Sequence, residues 1–216
     1  DNACKIGAIN KKIKEWHKKN YITSKENAFL VASLIDSMDK VANTAGTYYA
    51  YLKDWTTKAL NVFEYKFIEP IKGKYKGYSY QVDALKLIQK QHYDIVYLDP
   101  PYNERSYSRY YHLPEVIARQ IEPEVNGKAG IPNIELQKSN YNNKTKALES
   151  FKQLIDSVDC KVLLFHYTDN GLIEKDDIIE IFKNYGTISE YYLDCLGYST
   201  KQEIRKDMHH IYMVNM

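Results

Sequence analysis

The sequence predicts an α/β fold whose mostly parallel sheet ends in an antiparallel hairpin and follows a helical segment. After residue 60, short β-rich runs alternate with helical stretches, which is typical of strands joined by crossovers. In residues 1–60, apolar side chains recur at helical spacing instead. Two final β-rich runs flank a polar, glycine-containing loop, and this pattern indicates a hairpin.

Three helices are predicted in residues 1–60. Isoleucines and a tryptophan repeat at helical spacing over residues 5–16, and the periodicity resumes over residues 26–41. Ser24 is the expected N-cap of the second helix, because a serine hydroxyl can accept from the exposed amides of a first turn. Residues 48–59 predict a third helix after the glycine at position 46. We therefore expect residues 1–60 to form a mainly helical domain.

The remaining residues predict a sheet with crossover helices. Strands are expected at residues 62–68, 78–82, 94–98, 161–167, 188–195 and 209–214. Helices are expected at residues 83–90, 145–158 and 175–184, with a turn at 73–77 and a long irregular loop at 122–143. We expect residues 61–216 to form the second domain, which contains the chemical site.

Composition restricts the function only weakly. A chain of 216 residues with 44% hydrophobic residues can bury a sizeable core. The formal charge of +2 means that contact with a polyanion would need a local basic patch. The widely spaced Cys4, Cys160 and Cys195 indicate neither a disulfide framework nor a zinc site, so a reducing cytoplasm is expected. No run of about 18 apolar residues predicts a membrane segment.

The stretch IVYLDPPY holds the strongest chemical signal. In open α/β sheets the ligand site lies just beyond the carboxyl ends of the strands, and Asp99 follows such a run. Pro100 and Pro101 fix two φ angles and remove two N–H donors, so the loop presents a carboxylate and bare carbonyls. Such an acceptor cluster suits an exocyclic amino group of a base, on which Tyr102 could stack. The alternative is a strand-ending turn without chemistry.

Several stretches resemble one known family over nearly the whole chain: AFLVASLIDSMDKVANTAGTYYAYLK, SYQVDAL, YLDPPYNERSYSRYYHLPEVIA and LLFHYTDNGLI. The chain resembles the Dam-like, DPPY-containing adenine-N6 DNA methyltransferases, which use S-adenosylmethionine. This resemblance implies a Rossmann-like methyltransferase sheet and a duplex DNA substrate with a flipped adenine. It also implies the modification part of a restriction-modification system, with a cognate restriction endonuclease as a further partner.

The resemblance assigns a role to each residue of the DPPY loop. Asp99 and the carbonyl of Pro100 would accept hydrogen bonds from the adenine amino group, Pro101 would be a rigid spacer, and Tyr102 would stack on the base. Attack on the sulfonium methyl creates positive charge at the amino nitrogen, which a nearby carboxylate stabilises.

Further residues are candidates for the cofactor and for DNA. Asp83 matches the family's acid that contacts the adenosyl amino group, and Ala84 follows it; an N-cap role for Asp83 is equally open. Arg105, Tyr107 and Arg109 interleave basic and aromatic groups in a way that suits phosphates and a displaced base. A solvated helix start is the alternative for these three residues.

The histidines are not expected to be catalysts or metal ligands. His112 is expected to pack or cap, and His166 to be a hydrogen-bonded structural residue near the site. His209 and His210 lack other ligands at metal-like spacing, so no metal is predicted.

The family's glycine-rich cofactor loop is not found in this sequence, and the chain begins with Asp1. We interpret the chain as a piece of a longer protein that lacks the first cofactor-binding βα unit upstream. This piece is expected to bind S-adenosylmethionine weakly or not at all, and to self-associate through an exposed strand edge.

Two other functions stay open on the sequence alone. A ribosomal-RNA guanine-N2 methyltransferase would use the same acceptor logic on an amino group. A non-catalytic DNA-binding subunit would retain the sheet without methyl transfer, and the missing glycine loop is its main support.

Overall fold

The computed structural model describes residues 1–50, 52–89, 91–134, 138–196 and 206–216. Helices are α1 (Asn2–Lys18), α2 (Ser24–Asp39), α3 (Ala84–Ile88), α4 (Tyr107–Tyr110), α5 (His112–Arg119), α6 (Ala147–Asp156) and α7 (Lys175–Phe182). Strands are β1 (Tyr93–Leu98), β2 (Val125–Asn126), β3 (Ile131–Pro132), β4 (Cys160–Thr168), β5 (Thr187–Leu196) and β6 (Lys206–Asn215). None of the helices in these ranges is long and apolar enough to cross a membrane.

The chain forms two compact units, each of which combines two separate segments of the sequence. The first unit combines residues 1–77 with residues 107–137, and the second combines residues 78–106 with residues 138–216. Residues 61–77 therefore pack with the N-terminal helices, although the sequence suggested a boundary at residue 60. That residues 61–216 act as one catalytic domain stays a prediction.

The first unit is built around α1 and α2, and both predicted helices are confirmed. The cap of α2 is Thr23 rather than the predicted Ser24: the Thr23 hydroxyl accepts from the Glu26 amide, and the Glu26 carboxylate accepts from the Thr23 amide at 2.7 Å. This reciprocal capping box satisfies two otherwise unpaired amides. The core of the unit comprises Ile13, Val31, Leu34, Met38, Phe63 and Ile117.

The predicted helix at residues 48–59 is wrong. Only a 3-10 turn at Thr57–Leu60 forms there, while residue 51 lies outside the described residues. Long-range partners take the backbone groups that a helix would use. The amide of Tyr48 donates to the carbonyl of Tyr110 at 2.9 Å, and the side chain of Asn43 bonds the Thr56 amide and the Asp54 carbonyl.

The predicted strand at residues 62–68 is also wrong, because a helix rather than a strand lies beside this segment. The buried Ser37 hydroxyl donates to the carbonyl of Lys66 at 3.1 Å and accepts from its amide at 3.0 Å. The buried Ser33 hydroxyl accepts from the amide of Ile68 at 3.2 Å. Two serines of α2 thus provide the hydrogen bonds that a neighbouring strand would have supplied.

The second unit contains a four-stranded sheet in the order β1-β4-β6-β5. β1 pairs with β4 in parallel, whereas β6 is antiparallel to both β4 and β5. The α/β class, the adjacent parallel strands and the terminal hairpin are confirmed. Among the described strands of this sheet one pairing is parallel and two are antiparallel.

The core of the second unit lies between the sheet and the helices α6 and α7. Phe151 of α6, Phe165 of β4 and Phe182 of α7 are fully buried, and their ring centroids are 4.7 to 5.7 Å apart. Each such buried side chain stabilises the fold by about 1.5–3 kcal/mol through the hydrophobic effect. This cluster supports the strand that carries the candidate site.

Two other predictions for this region are corrected. Residues 78–82 form no strand, and Tyr78 and Tyr80 are exposed there, without a paired strand in the described sheet. The region 122–143 is not wholly irregular, because β2 and β3 form a small antiparallel ladder and Asn140–Asn142 form a 3-10 turn; residues 135–137 lie outside the described residues.

Candidate active site

The DPPY loop begins where β1 ends. Leu98 is in register with Phe165 of the parallel strand β4, so Asp99 comes beside His166. Val96 is buried two residues before the end of the strand, while 55% of the Asp99 side chain is exposed. The sheet therefore presents the carboxylate to solvent at the carboxyl edge, where ligands of α/β folds bind.

The backbone of the loop is anchored by neighbours from other segments. The carbonyl of Tyr102 accepts from the amide of Leu172 at 2.9 Å. The side-chain amide of Asn142 donates to the carbonyls of Asn103 at 2.7 Å and Arg105 at 3.0 Å. These bonds add to the rigidity of Pro100 and Pro101 and hold the loop in one conformation. Sequence reasoning did not identify Asn142, since an asparagine in a loop gives no periodic signal.

Tyr102 packs against the core of the second unit. Its ring lies edge-to-face with Tyr167, at a centroid distance of 6.4 Å, and with His209, at 6.0 Å. Aromatic pairs favour this arrangement. The contacts orient the ring beside the acceptor loop, as a stacking role requires.

Two histidines join Asp99 at this edge of the sheet. Nδ1 of His166 lies 3.3 Å from Oδ1 of Asp99, and Nε2 of His166 lies 2.9 Å from Nδ1 of His209. His166 was predicted to be hydrogen-bonded near the site, and the structure confirms this. Its connection to His209 was missed, because it depends on the register of β4 against β6.

Asp83 is the N-cap of α3, so the predicted capping role is confirmed, whereas cofactor contact stays a prediction. Its Oδ1 accepts from the amide of Leu85 at 3.0 Å, and Ala84 is the first, exposed residue of the helix. The pKa of Tyr141 is raised mainly by burial and further by negative charge at Tyr167 and Asp83. Asp83 and Tyr141 both belong to the unit that carries the DPPY loop.

The three candidate DNA-contacting residues fall in different units. Arg105 belongs to the second unit, and its amide donates to Oδ1 of Asn103 at 3.0 Å. Tyr107 and Arg109 belong to the first unit, where Tyr107 stacks on Tyr111 with centroids 6.2 Å apart.

The guanidinium of Arg109 is held by an aromatic ring. It lies 5.0 Å from the ring centroid of Tyr49 and donates to the Tyr49 hydroxyl at 3.3 Å. Tyr49 stacks in turn on Tyr110, at 5.4 Å. The NTAGTYY segment thus packs against the SRYYH segment and restricts where the charge of Arg109 can lie.

The other histidines have structural surroundings. His112 is buried, with its ring nitrogens 3.0 and 3.1 Å from the carbonyls of Arg109 and Ala129, which confirms the predicted packing role. His210 is buried between the carboxylates of Glu190 and Asp169. Within the described ranges, no group of three or more histidine, cysteine or acidic side chains could hold a metal ion.

Glu190 connects β5 to this buried histidine. Burial raises its pKa, but hydrogen bonds from Lys175, Tyr192 and His210 outweigh that effect, so the pKa lies below its ordinary value. The ionised carboxylate therefore ties α7 to both strands of the hairpin. This network holds the part of β6 that carries His209.

Comparison with known proteins decides the family. Residues 1–181 match the family model described as "D12 class N6 adenine-specific DNA methyltransferase". The chain belongs to this family. The match includes the DPPY loop, His166 on β4 and all three candidate DNA-contacting residues, whereas His209 on β6 lies beyond it.

Curated proteins similar to this D12 class chain are modification methylases. The chain is 35% identical over 184 residues to "Modification methylase StsI" of Streptococcus sanguinis, covering 85% of the chain and 28% of that protein. It is 35% identical over 191 residues to "Type II methyltransferase M.FokI" of Planomicrobium okeanokoites, covering 88% and 30%. It is 36% identical over 189 residues to "Type II methyltransferase M.NlaIII" of Neisseria lactamica, covering 86% and 55%.

The D12 class chain spans 28%, 30% and 55% of the length of these three relatives. No solved structure matches it. Membership of a methyltransferase family implies a methyl donor in general terms, and the D12 description specifies adenine in DNA as the family's substrate.

Proposed function

We propose that the protein containing this chain transfers a methyl group from S-adenosylmethionine to N6 of adenine in duplex DNA. One observation carries the proposal: in a D12 class chain, the loop Asp99-Pro100-Pro101-Tyr102 lies at the carboxyl end of β1 with its carboxylate half exposed. The family match and the named relatives favour adenine in DNA over guanine in ribosomal RNA.

The proposed chemistry follows from the acceptors of the loop. Asp99 and the carbonyl of Pro100 accept the two N–H bonds of the adenine amino group and favour a pyramidal nitrogen. The nitrogen lone pair then forms a bond to the methyl carbon, while the carbon–sulfur electron pair leaves with the sulfur. The positive charge that develops on nitrogen lies beside the carboxylate of Asp99, which stabilises it. The nitrogen next gives one proton to Asp99, whose exposed carboxyl group releases it to solvent.

Tyr102 is proposed to stack on the flipped adenine. Its ring is oriented by Tyr167 and His209, so little ordering would be needed when a base arrives. Pro101 keeps the ring and the acceptors at a constant spacing.

Asp83 and Ala84 are proposed to contact the cofactor, whose bound form supplies an electrophilic methyl group. The cap to Leu85 uses Oδ1 of Asp83, and no other hydrogen bond to this side chain occurs among the described residues. Its second oxygen suits an amino donor such as that of an adenosyl group. The exposed Ala84 leaves room beside it at the start of α3.

Arg105, Tyr107 and Arg109 are proposed to contact DNA. Arginines bind phosphates through paired N–H donors, and Tyr49 limits the motion of the Arg109 guanidinium, so less side-chain entropy would be lost on binding. Residues 1–60 are proposed to belong to a target-recognition region, and residues 61–216 to hold the catalytic residues.

We also propose a role in a restriction-modification system in the cytoplasm, with a cognate restriction endonuclease as a functional partner. Two of the relatives are named type II methyltransferases and a third is named a modification methylase, which supports this setting.

The decisive experiment is methylation of random duplex DNA by the full-length protein, using S-adenosylmethionine with a labelled methyl group. Digestion to nucleosides followed by mass spectrometry identifies the modified base. We expect N6-methyladenine in one sequence context. A parallel reaction with ribosomal RNA should give no labelled guanine.

Labelled methyl groups on guanine of the RNA would contradict the proposal and would support the ribosomal-RNA alternative. A folded full-length protein that binds DNA but does not bind S-adenosylmethionine would support the non-catalytic alternative.

A further inference from the structure

We propose that His166 and His209 form a positioning pair that orients the carboxylate of Asp99 for the adenine amino group. This inference rests on the proposed function and deepens it. Neither histidine touches the reacting atoms in the proposed chemistry, so both would act through Asp99.

Strand register brings the three groups into line. Asp99 follows Leu98, whose partner on β4 is Phe165, so His166 is the next residue along that strand. On the other side of β4, His166 pairs with Ile211 of β6, and His209 is two residues away on the same face. Such diagonal neighbours lie within reach of aromatic side chains. The order across the sheet is therefore Asp99, His166, His209.

The contact between the two imidazoles restricts their tautomers. Nε2 of His166 and Nδ1 of His209 are 2.9 Å apart, so one nitrogen must donate and the other must accept. Nδ1 of His166 is buried and makes no well-aligned hydrogen bond among the described residues, although Oδ1 of Asp99 is only 3.3 Å away. A buried polar atom without a partner is costly, and a small rotation of the exposed carboxylate would remove that cost.

The charge of Asp99 selects one tautomer. A lone pair on Nδ1 would face a carboxylate oxygen and be repelled, whereas an N–H there would donate to it. With the proton on Nδ1, Nε2 of His166 has only a lone pair and accepts from Nδ1–H of His209. In this neutral pair, Nδ1–H of His166 donates to Oδ1 of Asp99. Oδ2 of Asp99 then remains available to accept from the adenine amino group.

Protonation of His166 would oppose catalysis. The imidazolium would form an ion pair with Asp99 and withdraw negative charge from the place where the methylated nitrogen becomes positive. Three groups face His166 in the described structure: Asp99, the ring of Tyr97 at 6.4 Å, and His209, which itself faces Tyr102. Among these groups Asp99 is the one that the proposed chemistry uses as an acceptor.

Two substitutions at one position separate positioning from simple packing. In His166→Asn, the side-chain amide can replace the Nδ1 donor and keep the contact to Asp99. In His166→Gln, the longer amide reaches the place of Nε2 and keeps the contact to His209 instead. His92→Asn is the matched control, because His92 is an exposed histidine of the same unit that pairs with Asp159 at 2.7 Å.

We expect His166→Gln to lower kcat about tenfold or more, the size expected for loss of one hydrogen bond to a charged group, with little change in KM for DNA or S-adenosylmethionine. His166→Asn should stay within about threefold of wild type at neutral pH. His92→Asn should have the same kcat and the same KM values as the wild type.

Equal activity of the Asn and Gln variants would overturn the positioning role. A nitrogen-15 spectrum of the histidine rings gives a readout that needs no activity: wild-type His166 should carry its proton on Nδ1, and Asp99→Asn should weaken that preference. An inactive wild type with this tautomer would refute the proposed methyl transfer but not the pair, whereas a proton on Nε2 would refute the pair itself.

Discussion

Asp99 and Tyr102 owe their placement to different interactions, although they are separated by only two prolines. Asp99 is directed to solvent by the end of β1 and neighbours His166, whereas Tyr102 is held by the rings of Tyr167 and His209. The loop therefore combines a half-exposed acceptor with an oriented ring. Asn142 fixes the backbone that follows.

At the scale of single residues, we predict that Asp99→Ala in the full-length protein lowers the methylation rate by about a hundred- to a thousand-fold, because a preorganised electrostatic partner of the reacting nitrogen is lost. Methyl incorporation into DNA measures the rate, and circular dichroism checks that the fold is intact. Asp94→Ala is the matched control, since Asp94 is an exposed carboxylate of the same strand that pairs with Lys161 at 2.6 Å. Activity of Asp99→Ala within about threefold of wild type would remove Asp99 from the mechanism.

At the scale of elements, a hydrogen-bonded cap decides where α2 begins, and a close backbone approach constrains where β5 begins. α2 begins with the capping box of Thr23 and Glu26. β5 begins directly after Gly186, where the backbone at the end of β6 comes so close that a side chain would not fit. The capping box joins residues that are close in the sequence, whereas the constraint at Gly186 comes from Asn215, which is distant in the sequence.

We predict that Thr23→Ala lowers the free energy of unfolding by about 1 kcal/mol, because the amide of Glu26 loses its side-chain acceptor. Ser24→Ala is the control and should have a smaller effect, since Ser24 is the first residue within α2 rather than its cap. Urea denaturation followed by circular dichroism measures both variants. A larger loss in Ser24→Ala would contradict the observed cap.

Gly186→Ala should destabilise the hairpin by about 1–3 kcal/mol, because the added Cβ would overlap the carbonyl oxygen of Asn215 and force the end of β6 to move. Gly7→Ala provides the opposite expectation: its Cβ would meet nothing within 4 Å in α1, so alanine should stabilise the helix by about 0.5–1 kcal/mol. Thermal unfolding of both variants tests the pair. An unchanged melting temperature for Gly186→Ala would show that the strand end adapts.

At the scale of the whole molecule, the second unit exposes one border of its sheet. β1 is the terminal strand of the described sheet, and Ile95 and Tyr97 on it are 62% and 53% exposed. An exposed apolar strand with unpaired backbone groups is a template for pairing with another chain.

We therefore predict that the 216-residue chain self-associates in solution through β1. Ile95→Lys should shift the sedimentation profile towards monomer, because a charge on the exposed face opposes apolar contact. Ile71→Lys is the control, since Ile71 is 98% exposed but belongs to no strand. A wild-type chain that sediments as a monomer at high micromolar concentration would contradict the prediction.

The sequence by itself determined the elements whose signals are local or strongly periodic. Helices α1, α2, α6 and α7, the parallel neighbours β1 and β4, and the terminal hairpin were all predicted within a few residues. The DPPY loop was located from its prolines and its place after an apolar run. These features depend on periodicity and on backbone restriction, which neighbouring residues set without help from the rest of the chain.

Tertiary structure alone decided the features that depend on which segments pack together. Residues 62–68 have the composition of a strand, but the serines of α2 take their hydrogen bonds, and residues 48–59 lose their helix to Asn43 and Tyr110. The line from Asp99 through His166 to His209 arises from the register of three strands, and residues 67 and 43 positions apart meet there. A backbone donor bonds whichever acceptor the folded chain brings to it, and that choice is set by distant contacts that a local pattern does not contain.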